Sequence, residues 1–289
     1  MKITPSTSRY SLHAKSLFGS TFTAFLFSMV FSLSAQAEDL MEAFPEAALR
    51  AKISIIIDDL GYGYKPALGF ADLPHPITLA IIPFTPYGSD IAALANSHQK
   101  EVMLHAPMET MGRRKWEDGL TVDMDEIETF TTINDMLSDI PHVQGVNNHG
   151  GSRLTQDRDR MNWIMTFLAE RKLYFVDSRT IASSIAEEAA RDAQIAYSAR
   201  DVFLDNEKSP EQIREQLNKL RTIALEQGRA IGIGHPYAET LEILIEELPL
   251  LDTEGIKLVK VSELLHKNPS KNGAIINTKS VVAHIPNGY

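Results

Sequence analysis

The feature that most constrains the fold is a series of short β-branched segments that recurs along the chain. The first, residues 53–57, has the sequence Ile-Ser-Ile-Ile-Ile, without regular alternation of apolar and charged side chains. Such a run predicts a strand that is buried on both faces, as in a parallel sheet covered by helices. Similar segments follow at residues 77–82, 101–104, 143–146, 173–176, 230–233 and 257–261, with a weaker one at residues 195–197.

Helical segments separate these strands. Helical periodicity is present at residues 90–98, 125–137 and 157–172. A further helix is predicted to begin after Ser209, which forms a capping box with Gln212 and precedes a proline at the first helical position. It is expected to end at Gly228. The alternation of strands and helices predicts one α/β domain built on a parallel sheet or barrel.

The first 37 residues have the pattern of a secretory signal peptide. Basic residues precede an apolar run at residues 17–33, and Ala35-Gln36-Ala37 follows as a small-x-small cleavage site. We therefore expect cleavage after Ala37, a periplasmic location and no membrane insertion of the remaining chain. The alternative is an uncleaved anchor, because the run approaches the roughly 20 apolar residues that span a bilayer.

The rest of the chain divides into a lead-in at residues 38–51, a domain at residues 52–266 and a tail at residues 267–289. The tail is predicted to be mobile or to lie over the surface, because apolar periodicity stops there. The oligomeric state is left open by the sequence.

Composition limits the chemistry. The formal net charge of −10 argues against binding to nucleic acid, which requires basic patches. The chain has no cysteine, so the domain depends on an ordinary core instead of disulfides. Any metal site must be built from histidine, aspartate or glutamate.

Aspartate and histidine collect where the predicted strands end. The side chains at these positions are, in chain order, Asp58 and Asp59, His105 and Glu109, Asn148 and His149, Asp177 and Arg179, and His235. Carboxyl ends of parallel strands meet at one edge of a sheet, so these groups are expected to converge. Each one alone has an ordinary explanation, since paired aspartates often form turns or caps and a single histidine is more often structural. Their joint placement indicates a site.

Two imidazoles and one carboxylate would form a three-ligand metal site with an open position, which is typical of catalytic zinc. Such a metal lowers the pKa of its water to about 7. A neighbouring carboxylate could act as general base, and a further histidine could protonate the leaving group.

These motifs resemble those of the divergent polysaccharide deacetylases of Gram-negative bacteria, within the glycoside hydrolase/deacetylase superfamily. The matching segments are Ile57 to Gly61, Leu104 to Glu109, Gly145 to His149, Asp177 to Thr180 and Gly232 to Pro236, in family order. The resemblance implies a distorted (β/α) barrel of about seven mostly parallel strands and a divalent metal, with zinc the expected ion.

The resemblance also implies a role for each residue. Asp58 would be the catalytic base and His235 the catalytic acid. The metal ligands would be Asp59, His105 and His149. Asp177 would orient the acid or hold substrate. The expected substrate-binding residues are Asp177, Glu109, Asn148, Arg179 and Trp116.

The sequence departs from the superfamily pattern in two places. The usual second histidine, four residues after the first, is replaced by Glu109, which could be a ligand in place of His149. The usual Arg-x-Pro-x-Gly motif is missing. The loop with Trp116 also contains Arg113, Arg114 and Lys115, which would suit an anionic glycan or simply form a solvated basic surface.

The expected activity is hydrolysis of the C–N bond of an N-acetylated envelope sugar, with a cell-envelope carbohydrate as partner. A catalytically silent glycan-binding or cell-wall accessory protein that retains the barrel is the alternative from another class. An esterase or amidase with the same site would differ only in substrate.

Overall fold

A computed structural model describes residues 49–112, 116 and 118–267 of this chain. The predicted signal peptide, residues 38–48 of the lead-in and the tail beyond Lys267 lie outside the described residues. The strands are β1 (Ala51–Leu60), β2 (Thr78–Ile81), β3 (Glu101–Met108), β4 (Val143–Gly150), β5 (Tyr174–Asp177), β6 (Tyr197–Ala199), β7 (Val202–Phe203), β8 (Arg229–Gly234) and β9 (Ile256–Leu258).

Helices connect most of these strands. They are α1 (Tyr64–Ala71), α2 (Gly88–Ser97), α3 (Glu126–Asp139), α4 (Arg158–Glu170), α5 (Ala186–Asp192), α6 (Pro210–Gln227) and α7 (Ala238–Glu247). Short 3₁₀ segments lie at Leu154–Gln156, Leu248–Glu254 and Val261–Glu263. None of the helices in the described part of the chain has the length and hydropathy needed to cross a bilayer.

The strands form one parallel sheet in the order β6-β5-β4-β3-β2-β1-β8-β7, with β9 paired to β1. The sheet curls into a half-barrel, which confirms the predicted α/β class. All carboxyl ends of the strands therefore lie at the same edge, where sites form in folds of this kind.

Side-chain caps begin three of the four helices that the sequence predicts, and α2 is the exception. Helix α6 begins where the Ser209 side chain accepts a hydrogen bond from the backbone of Gln212, and it ends at Gly228 in the left-handed conformation, with φ at 81°. Helices α1, α5 and α7 were not predicted, and none of them begins with a side-chain cap. The strand predicted at residues 257–261 is shorter, because β9 ends at Leu258 and a 3₁₀ turn follows.

The sheet separates two apolar cores. On its convex face, Ile53, Ile55 and Ile57 of β1 pack in the core shared with the helices. On its concave face, Ile56 packs in a second, smaller core inside the curl. The absence of polar alternation in β1 thus reflects burial on both sides.

The segment that follows β9 fills the amino-terminal end of the curl. Ser262 donates from its backbone and its hydroxyl to Glu101 Oε2, over 3.4 and 3.2 Å. The Tyr174 hydroxyl donates to Glu101 Oε1 over 2.5 Å. Glu101 is fully buried, so these bonds replace the water that its carboxyl group loses on folding. Glu101 therefore joins two strands to the C-terminal segment.

Replacing Tyr174 with phenylalanine tests this contact. Tyr174→Phe leaves one oxygen of a buried carboxyl group without its donor, so we expect the free energy of unfolding to fall by about 1.5–3 kcal/mol. Urea denaturation followed by circular dichroism measures it. Tyr62→Phe, at an exposed tyrosine, is the matched control and should change stability by less than about 0.5 kcal/mol. Equal effects of the two substitutions would contradict the role of Glu101.

Candidate functional site

The end of β1 departs from regular strand geometry at two consecutive aspartates. The pairing register between β1 and β2 shifts between Ile57 and Leu60, and Asp59 has a φ of 58°. Adjacent side chains of a regular strand point to opposite faces, whereas a bulge with a left-handed residue changes the direction of one of them. As a result, both carboxylates lie close to the same imidazole: Asp58 Oδ2 is 3.6 Å and Asp59 Oδ1 is 3.1 Å from His105 Nε2.

Three strand ends bring the predicted metal ligands together. Asp59 Oδ1 is 2.8 Å from His149 Nδ1, and His149 Nδ1 is 3.1 Å from His105 Nε2. Among the described residues, these three form the one group of three or more acidic or imidazole side chains able to hold a metal ion. His149 Nε2 is buried and has no hydrogen-bond partner within the described part of the chain.

Asn147 organises this group. It lies in the matching segment Gly145 to His149, but the sequence analysis assigns it no role. Its Oδ1 accepts a hydrogen bond from His105 Nδ1 over 2.8 Å, which leaves His105 Nε2 directed at Asp59 and His149. Its Nδ2 donates to Asp58 Oδ1, also over 2.8 Å. Asn147 lies two residues before His149 on β4, and this spacing places both side chains on one face of the strand.

The electrostatic environments of the two aspartates differ. Burial raises the pKa of Asp58, and the charge of His105 and the bond from Asn147 do not reverse that shift. Burial also acts on Asp59, but hydrogen bonds from His105 and His149 hold its pKa well below the usual range. The lowered pKa favours the ionised form of Asp59, and the raised pKa gives Asp58 the greater affinity for a proton.

His235 lies at the end of β8 and is held by Asp205. Its Nδ1 donates to Asp205 Oδ1 over 2.7 Å, and its backbone N–H donates to Asp205 Oδ2 over 2.6 Å. The other ring nitrogen, Nε2, is 3.9 Å from Asp59 Oδ2. Burial disfavours the charged ring, but the bond with Asp205 gives His235 a raised pKa. His235 Nε2 thus faces Asp59, and the raised pKa favours the protonated form of the ring.

Asp205 is a site residue that the sequence did not reveal. It follows β7, which has two residues and is too short to be recognised from periodicity. The suggestion that Asp177 orients His235 is therefore wrong, because Asp205 occupies that position. Asp177 is buried and accepts a hydrogen bond from the backbone of Arg179, which stabilises the turn after β5.

Other residues expected to bind substrate have structural contacts. Asn148 is buried, and its side chain bonds the backbones of Ser178 and Gly150. Arg179 forms an ion pair with Glu187 on α5. These contacts fix the loops around the site, and nothing in them tests binding to substrate.

Glu109 lies outside the group of Asp59, His105 and His149, whereas Trp116 contacts it. Glu109 is buried and pairs with Arg153 over 2.8 Å, and its other oxygen accepts from the Val122 backbone. It does not belong to the group formed with His149. The Trp116 ring centroid is 4.3 Å from that of His149, which places an aromatic ring against a predicted metal ligand.

The basic residues Arg113, Arg114 and Lys115 lie outside the described residues. Their predicted contact with an anionic glycan therefore stays a prediction.

The chain is similar to two uncharacterized bacterial proteins. It is 32% identical to YibQ of Escherichia coli K12 over 226 residues, which cover 78% of this chain and 70% of YibQ. It is 34% identical to a protein of Haemophilus influenzae over 216 residues, covering 74% of this chain and 77% of that protein.

A solved structure shares the fold. The crystal structure of an uncharacterized protein from Agrobacterium tumefaciens C58 has a TM-score of 0.72 at 23% identity, covering 75% of this chain and 90% of that one. A family profile described as divergent polysaccharide deacetylase matches residues 55–265, which include every residue of the site. The chain therefore belongs to the divergent polysaccharide deacetylase family.

Proposed function

We propose that the protein is a periplasmic, zinc-dependent deacetylase that hydrolyses the C–N bond of an N-acetylated sugar of the cell envelope. The observation that supports the proposal most is the convergence of Asp59, His105 and His149 beside a second, buried carboxylate, Asp58. Family membership supports the type of substrate. The location rests on the signal-peptide pattern of residues 1–37.

The donor set fits a zinc ion. In tetrahedral zinc sites the ligand atoms are about 2.0–2.2 Å from the metal, which places neighbouring ligand atoms about 3.3–3.6 Å apart. The separations among Asp59 Oδ1, His105 Nε2 and His149 Nδ1 are 3.1, 2.8 and 3.1 Å. A bound zinc would polarise the acetamide carbonyl and make water more acidic.

Asp58 and His235 would move the protons of the reaction. As the water oxygen bonds to the acetamide carbon, Asp58 accepts the proton that the water loses, while Asn147 keeps its carboxylate in position. As the C–N bond breaks, His235 Nε2 gives its proton to the sugar nitrogen, and Asp205 stabilises the ring before the transfer. The products are acetate and the free amino sugar.

Substitution of the proposed base tests the reaction. Asp58→Asn keeps the size of the side chain but removes its basicity, so we expect acetate release from β-1,4-linked N-acetylglucosamine dimer to fall by about 10²–10⁴-fold. Zinc content, measured by plasma mass spectrometry, should be unchanged. Unchanged activity would refute the base assignment. Absence of activity in the zinc-loaded wild type would favour the catalytically silent alternative.

The ligand set is tested by comparing two side chains. His149→Ala removes a proposed ligand, so its zinc affinity should fall by at least about 100-fold in competition with a fluorescent chelator. Glu109→Gln, which can still accept the Val122 hydrogen bond, should stay within about threefold of wild type. The reverse pattern would make Glu109 the ligand, and circular dichroism would verify that both variants are folded.

A further inference from the structure

The amino-terminal edge of the sheet, opposite the proposed metal site, has a cavity lined by basic side chains. The cavity has a volume of about 500 Å³ and lies between the loops that precede β2 and β3. This volume is usual for sites that bind small molecules. Lys100 lines the cavity five residues before His105, so their Cα atoms are about 17 Å apart along β3. The cavity is therefore separate from the proposed reaction site.

Three segments of the chain bring basic side chains to this cavity. His75 lies in the loop before β2, Lys100 directly precedes β3, and Lys260 follows β9. Lys260 reaches the same edge because the segment after β9 passes the beginning of β2, where the Val261 backbone donates to Thr78 Oγ1 over 3.3 Å. The three basic groups thus converge from positions that are distant in sequence.

Lys100 is buried and its ammonium group forms no ion pair among the described residues. Lys100 is 7% exposed, and its ammonium donates to the backbone carbonyls of Leu73 and His75, the second over 2.7 Å. Burial and the charge of Lys260 lower the pKa of Lys100, and Asp72 offsets them only in part. An ammonium has three N–H donors, so the two carbonyl bonds leave one donor for a ligand.

The other two basic side chains have no partner within the described part of the chain. His75 and Lys260 are half-buried, and neither side chain has a hydrogen bond or an ion pair there. Asp72, the acidic residue of the lining, pairs with His98 instead, since Asp72 Oδ1 is 3.0 Å from His98 Nε2. Two ammonium groups without a paired carboxylate are notable in a chain with a formal net charge of −10. Such a concentration of positive charge attracts anions.

The loop that contains His75 is held in one conformation. Pro74 and Pro76 flank His75, and each fixes its own φ. The His75 carbonyl accepts from the Ile77 backbone over 2.9 Å as well as from Lys100. The cavity is therefore formed before a ligand arrives, which lowers the entropic cost of binding.

We propose that this cavity binds a phosphate group through Lys100, Lys260 and His75. A phosphate monoester has a charge of about −1.5 to −2 at pH 7, which two ammonium groups match. Its oxygens point in several directions and can meet donors from three segments, whereas a carboxylate has two oxygens in one plane. A soluble phosphomonoester and the headgroup of an anionic phospholipid both present this chemistry. The proposal does not depend on the deacetylase function.

Inorganic phosphate is the first probe of the cavity. The full chain, without added zinc, is titrated calorimetrically with phosphate while sodium chloride keeps the ionic strength constant, so that charge screening does not change. We expect saturable binding, which Lys260→Ala weakens by at least about fivefold because one charged donor is lost. Lys260→Arg keeps the charge and should stay within about threefold of wild type.

Lys219→Ala is the matched control, because Lys219 is an exposed lysine of α6 outside the cavity and the substitution removes the same charge. It should leave phosphate binding unchanged. Lys260 is used for the test instead of Lys100, whose bonds hold the loop before β2 and whose loss would disturb folding. Circular dichroism verifies that each variant is folded.

Vesicles distinguish the two sources of phosphate. The wild-type chain, Lys260→Ala and Lys219→Ala are sedimented with vesicles of about three parts phosphatidylcholine to one part phosphatidylglycerol. A smaller bound fraction for Lys260→Ala alone would identify the phospholipid headgroup as a ligand. Equal bound fractions, with phosphate binding that depends on Lys260, would identify a soluble phosphate compound.

Two results would overturn the proposal. One is that Lys260→Ala matches Lys219→Ala with both probes. The other is that His149→Ala abolishes phosphate binding while Lys260→Ala does not, because the phosphate would then occupy the proposed metal site.

Discussion

The break in β1 at Asp58 and Asp59 is the constraint on which the rest of the site depends. A regular strand would direct the two carboxylates to opposite faces of the sheet, and one of them would be lost to the site. The left-handed backbone of Asp59 instead brings both carboxylates near His105. Pairing of β1 with β2 resumes after this bulge at Leu60, and the next residue, Gly61, packs against the loop after β2.

Buried hydrogen bonds then give each charged group one orientation. The amide of Asn147 bonds both His105 and Asp58, so it couples the proposed metal site to the proposed base. Asp205 fixes the orientation of His235 in a similar way. Its second oxygen accepts hydrogen bonds from the His235 backbone and from the Thr240 hydroxyl. Because these partners are buried, the site is organised before substrate arrives, which is the condition for effective proton transfer and metal binding.

The sequence predicts those parts of the molecule that depend on local pattern. The strands that begin with β-branched runs, the caps at Ser209 and Gly228, and the clustering of Asp59, His105 and His149 at strand ends all follow from periodicity and spacing. Helices α1, α5 and α7 do not follow from such patterns, and neither does Asp205, because β7 has two residues and its position is fixed by pairing with β8. The role of Asn147 depends on contacts across three strands, which no local pattern contains.

The central claim, that Asp59, His105 and His149 hold a metal beside the base, is tested most directly by anomalous diffraction. Crystals of the protein purified without chelator and supplied with zinc would be measured on both sides of the zinc absorption edge. The account predicts one anomalous peak about 2.0–2.2 Å from Asp59 Oδ1, His105 Nε2 and His149 Nδ1. A peak coordinated by Glu109, or no peak at this strand edge, would contradict it.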